Sequence, residues 1–153
     1  MKLAEALILR ADKQKRIEQI RERLSDSAKV QEGEKPPENP EELLKELDSL
    51  LKELTSTIKK INKTNSLTKF DETRSLTDAL AERDAIALRR SVLGTLVQAA
   101  VVKQDRYSKS EVKYYSTVNI SEIQKEIDLL AKEYRETDTR IQEANWNVDL
   151  IES

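Results

Sequence analysis

The sequence predicts an all-α fold: an antiparallel bundle of four long coiled-coil-like helices, with an extended arm or a short β-hairpin. Three observations carry that prediction. The chain has only two Gly and three Pro in 153 residues, too few for the many tight turns of a β-sandwich or barrel. Charged residues make up 37% of it, which suits helices with wide solvated faces. Apolar residues recur at spacings of three and four along most of the chain. The length suits one domain spanning residues 1–153.

The first helix is expected over about 2–28. Leu3, Leu7, Ile17, Leu24 and Ala28 fall on one stripe. Arg10, Gln14 and Arg21 interrupt it, as long side chains that lie along the helix edge with their polar heads in water. Residues 29–39 are the clearest linker, aperiodic, with all three prolines in or just after it. Asn39, Pro40, Glu41 and Glu42 then start a second helix by rule: a cap, a proline at the first position, and acids at the positive end of the dipole. This helix is expected over 40–63. Leu43, Leu47, Leu50, Leu54, Thr57 and Ile61 form its stripe, which Leu44, Leu51 and Ile58 widen into a bundle-core face.

Residues 62–75 are polar and turn-prone, and Ser66–Phe70 has the composition of a short strand. Ser75 or Thr77 caps a third helix, expected over 76–104. Its second half, Ser91–Val102, is nearly apolar all round, so it is to be buried on most sides, within the monomer or in an oligomer. Gly94 within it costs roughly 1 kcal/mol relative to Ala, unless it permits close helix approach. Residues 105–119 break the helical period. Val112, Tyr114, Ser116 and Val118 alternate as an arm or strand does, to be paired with Leu67–Phe70 or with the same segment of another chain. Asn119 with Glu122 starts a fourth helix, expected over 120–147. There Ile120, Ile123, Ile127, Leu130, Tyr134, Thr137, Ile141, Ala144 and Val148 hold the heptad spacing.

Composition excludes several chemistries. With no Cys there is no disulfide, thiolate nucleophile or thiolate metal site. With no His there is no imidazole base, and nearly all zinc sites fall away. The longest uncharged stretch, Ser91–Val102, makes about 18 Å of helix, against a bilayer core of about 30 Å. The apolar block Ala6–Leu9 lies between Glu5 and Arg10, unlike a signal peptide. A net charge of −2 argues against a dedicated nucleic-acid binder. Arg106, Tyr107, Lys109, Lys113, Tyr114 and Tyr115 do interleave basic and aromatic residues, but Glu111 interrupts them.

Four antiparallel helices of about 37 Å bring one set of polar groups to the same end. Asn62, Asn65, Arg83, Asp84, Arg140, Glu143, Asn145 and Trp146 gather there, with Glu5 beside them. Arg83 and Arg140 both lie near 30 Å from the opposite end at 1.5 Å per residue. Two guanidiniums beside two amides and an indole form a ligand or docking cluster for an anion or a small polar molecule. The plainer reading is a salt-bridge network that fixes helix register.

Four segments, Val30–Glu34, Asn62–Asn65, Leu76–Asp84 and Asp138–Trp146, resemble the septicolysin-like family of small bacterial helical proteins of unassigned function. The resemblance runs nearly end to end. It implies a bacterial, cytoplasmic-type helical protein and offers no catalytic residues to carry over. Its name invites a cytolysin reading, for which no export signal is visible and Ser91–Val102, read first as buried core, is the only candidate inserting segment. The expectation is therefore a non-enzymatic helical-bundle protein that oligomerises and acts through protein contacts. No catalytic residue, cofactor or metal is assigned. It is expected to be a cytoplasmic homo-oligomer with a protein partner of unknown identity, no nucleic-acid partner, and membrane association disfavoured. Small-ligand or anion binding at the polar end, and membrane activity suggested by the family name alone, are the alternatives.

Overall fold

The computed structural model describes residues 1–101 and 112–153. The long elements are all α-helices: α1 (Leu3–Asp26), α2 (Pro40–Leu67), α3 (Leu76–Ala100) and α4 (Ile120–Asn147). They pack helix on helix, in the all-α bundle class expected from the sequence. The chain divides into two compact units, Met1–Thr77 with Gln142–Ser153, and Asp78–Ile141.

In the first unit α1 and α2 run antiparallel. Lys13 Nζ donates to Thr57 Oγ1 at 3.1 Å. Ten residues further along α1, the Arg23 guanidinium binds Glu38, with Nε to Oε2 at 2.8 Å, and lies 3.9 Å from Glu46. The Asn39 side chain accepts from Glu41 N at 2.9 Å, with Pro40 at the first position, so α2 starts as its residues dictate. Leu3, Ile20, Leu43, Leu50, Ile61, Leu76 and Leu150 are buried here. Each large aliphatic side chain contributes roughly 1.5–3 kcal/mol relative to exposure.

α2 runs past the expected end at Lys63 to Leu67, and the cause is tertiary. Thr64 is fully buried. Its Oγ1 donates back to Lys60 O at 2.8 Å and accepts from Ile151 N at 2.9 Å. Polar residues that read as a turn are thereby held in helix. The strand expected over Ser66–Phe70 does not form. Ser66 and Leu67 are helical, and the only pairing there is an isolated antiparallel bridge of Lys69 with Ser75. Asp71 closes this turn, its Oδ1 accepting from Thr73 N at 3.0 Å and Arg74 N at 2.8 Å.

The residues after α4 return to the start of the chain. Leu3 N donates to Val148 O at 2.9 Å, and Leu150 N donates to Met1 O at 2.8 Å. Lys2 Nζ lies 2.9 Å from Asp149 Oδ1. The end of α2, the start of α1 and the end of α4 therefore meet.

In the second unit α3 and α4 also run antiparallel. Arg83 meets Asp138 and Arg89 meets Glu126, numbers rising on one helix as they fall on the other. The Asn119 side chain accepts from Glu122 N at 3.1 Å and starts α4 at the expected residue. α3 ends at Ala100, short of Gln104; residues 102–104 lie outside the described residues, as do 105–111 of the expected arm. Residues 112–119 form no strand, and Ser116 Oγ instead donates to Val118 O at 2.7 Å. The stretch Ser91–Ala100 is not buried on most sides in the protomer. Of it only Leu93 is buried. Nothing lies within 4 Å of a Cβ built on Gly94, so no close helix approach requires that glycine.

Candidate functional site

The expected polar cluster draws its residues from both units. In the first, Asn145 is buried on the last turn of α4, while Glu143 and Trp146 are exposed beside it. Asn62 is exposed and Asn65 half-buried, flanking the Thr64 that anchors Ile151. Glu5 caps the start of α1, accepting from Lys2 N at 3.3 Å. In the second unit stand Arg83, Asp84 and Arg140. The Arg83 side chain is 21% exposed. Its Nη1 donates to Asp138 Oδ1 at 2.9 Å, and its Nε and Nη2 donate to Asp84 Oδ1 at 3.3 and 3.2 Å. Burial disfavours this charge, but the hydrogen bonds to Asp138 and then Asp84 outweigh it, and the guanidinium pKa is raised. Arg83 is thus neutralised by two carboxylates. Arg140, two residues beyond Asp138 on α4, is exposed.

A second feature of the same unit is apolar. Ala85, Leu88, Val92, Leu96 and Ala99 form a continuous ridge along α3, and all five are exposed. Leu88 is 67% and Val92 59% exposed. They lie on the side of α3 opposite Ala79, Ile86, Leu93 and Val97, the residues that turn inward. No charged residue stands on the ridge. At its C-terminal end Leu96 and Ala99 line a groove of about 420 Å³ with Tyr114–Val118. Among the described residues, the second unit's buried hydrophobics are only Ala79, Leu93 and Ile141.

Sequence reasoning missed a third feature. Lys52, Lys59, Lys60 and Lys63 share one face of α2 and line a groove of about 630 Å³ with Leu51, Thr55, Ser56, Glu152 and Ser153. Lys63 Nζ donates to Ser153 O at 2.8 Å. The spacing of the lysines, seven then one then three, is the signal that was available.

These observations define a class of protein: an all-helical chain built on two antiparallel helix pairs, with an uncovered apolar ridge on one of them. Among the described residues, no helix is long and apolar enough to cross a membrane. No group of three or more acidic, His or Cys side chains there is placed to hold a metal ion. The chain belongs to the family described as "Family of unknown function (DUF6847)", whose profile matches residues 10–150. It is similar to a functionally unknown conserved protein from Corynebacterium diphtheriae known from a crystal structure. The two are 46% identical over 99% of each chain, with a TM-score of 0.91. Comparison with curated proteins finds no match. The DUF6847 match and the bacterial structure correct the septicolysin-like assignment, since neither points to that family. Three of the four short segments behind the resemblance lie at helix starts and ends, where capping and ion pairing restrict composition in many helical proteins, and Val30–Glu34 lies in the linker between α1 and α2.

Proposed function

We propose that this protein acts by self-association and protein contacts rather than by catalysis. The single observation behind this reading is the ridge of Ala85, Leu88, Val92, Leu96 and Ala99, exposed on a helix pair that buries very little. Two helices cannot cover their apolar surface alone, and an added layer removes it from water. The neutralised Arg83 supports the same reading, because a guanidinium held by Asp138 and Asp84 is poorly placed to bind substrate. Light scattering on a sizing column tests it. The expected mass is a whole multiple, two or more, of 17.6 kDa. A 17.6 kDa species throughout the micromolar range would overturn the reading.

Anion binding is the second reading, and the α2 groove favours it. Four ammonium groups line the groove, of which Lys63 is held by Ser153 O at 2.8 Å, and Glu152 lies 3.9 Å from the N-terminal ammonium. Titration calorimetry with tripolyphosphate should give heat that Lys59→Glu with Lys60→Glu abolishes. Absence of heat with the unmodified protein removes this reading.

A further inference from the structure

The geometry points to a specific partner and pose for the α3 ridge: a second copy of this chain, docked α3 against α3, antiparallel, about a two-fold axis at Val92. This deepens the self-association reading and rests on it. The argument starts from the order of residues on the ridge. Ala85, Leu88, Val92, Leu96 and Ala99 have the same side chains and the same spacing read from either end: small, large, Val, large, small, at intervals of three, four, four and three. A two-fold interface joins a surface to itself, so residue i meets j and j meets i. An antiparallel pair centred on Val92 places Leu88 opposite Leu96 and Ala85 opposite Ala99, at both ends alike. The small residues let the helices approach at the ends while the large ones fill the middle.

Charge selects the antiparallel direction. A parallel pair sets Asp84 beside its own copy and Arg89 beside its own copy. The antiparallel pair sets Asp84 opposite Ala100 and Arg89 opposite Thr95, so no like charges meet, and the helix dipoles oppose one another favourably. The groove of about 420 Å³ at the C-terminal end fits the same pose. The half of α3 that reaches it from the partner carries exposed alanine at 81 and 85, and Tyr114 and Tyr115, 76% and 78% exposed, lie along it. The pose completes a bundle of four helices from two hairpins.

The chain has no cysteine, so an introduced thiol is unique. Val92→Cys, Ala85→Cys, Ala99→Cys and the exposed off-ridge control Arg90→Cys are each treated with a short bis-maleimide. Val92→Cys is expected to cross-link to itself. Ala85→Cys and Ala99→Cys are expected to cross-link to each other in a mixed sample and not alone, because in this pose two copies of residue 85 stand about 21 Å apart along the helices. Self-cross-linking of Ala85→Cys as efficient as that of Val92→Cys would mean a parallel pair and overturn the inference. Cross-linking no greater than that of Arg90→Cys would overturn it too. The solution mass of the unmodified protein then separates the two failures. A dimer leaves self-association standing on another surface, and a monomer removes both.

Discussion

The two glycines carry opposite energetic consequences, although a sequence shows them as the same residue. Gly33 has φ of +87° in the turn closed by Glu34 N donating to Gln31 O at 3.0 Å. An L side chain in that region costs about 1–2 kcal/mol. Gly33→Ala should therefore lower stability by about 1 kcal/mol, although nothing lies within 4 Å of the added Cβ. Gly94 sits inside α3 with helical backbone and the same open space. Gly94→Ala should raise stability by about 0.5–1 kcal/mol, through the entropy glycine retains in the unfolded chain. Urea unfolding of both variants checks the pair. Equal signs would mean that local backbone conformation is not what distinguishes them. Ser27 makes a third residue-scale case. Its Oγ is buried without a hydrogen-bond partner among the described residues, so Ser27→Ala should be neutral or stabilising in the same assay.

At the scale of elements, the turn between α2 and α3 has a pH signature. Asp71 is held down to about 2, first by the hydrogen bond from the Arg74 side chain and then by the backbone N–H of Thr73. Glu38 is lowered by Arg23, and Asp149 by Lys2. A carboxylate depressed in the folded state stabilises fully above its unfolded value, near 3.9 for Asp, and loses that contribution as pH falls through the folded value. Melting temperature should thus hold down to about pH 5 and fall between about pH 4 and 2. Asp71→Asn should flatten part of that fall, and an unchanged acid limb would contradict the assignment. With no His in the chain, no imidazole adds a step near neutrality. The elements were legible where their causes are local. Asn39 and Asn119 cap α2 and α4 as their positions demand, because each cap closes within three residues. The extra turn of α2 was not legible, since it depends on Thr64 meeting Ile151, 87 residues away. In the first unit the end of α2, the start of α1 and the end of α4 meet, while in the second unit helix phase sets the partner of Arg83. Asp138 precedes Arg140 by two residues, about 200° around the helix, and it is Asp138 that reaches Arg83. The C-terminal part of the ridge lies in the apolar run Ser91–Val102, yet which side of that run a neighbour covers is not written in its composition.

At the scale of the whole molecule, the two units should differ in how their stability depends on concentration. The first unit has Leu3, Ile20, Leu43, Leu50, Ile61, Leu76 and Leu150 buried, and its chain ends are clasped by hydrogen bonds from Leu3 and Leu150. Its protection against amide exchange should be intramolecular. Among the described residues of the second unit, Leu93 is the one buried hydrophobic along the length of the hairpin, with Ala79 and Ile141 at its end. Its protection should come largely from association, because anything that binds the folded form and not the open one stabilises by mass action. For a dimer well above its dissociation constant, the monomer fraction falls as the square root of concentration. Amides of residues 80–99 and 121–140 should then exchange about threefold more slowly for each tenfold rise in concentration, while those of α1 and α2 stay unchanged. Exchange measured at two concentrations a hundredfold apart decides the matter. A change of about tenfold confined to the hairpin is the expected result. Equal protection at both concentrations would mean that the hairpin holds itself, and that its exposed ridge contributes nothing through a second chain.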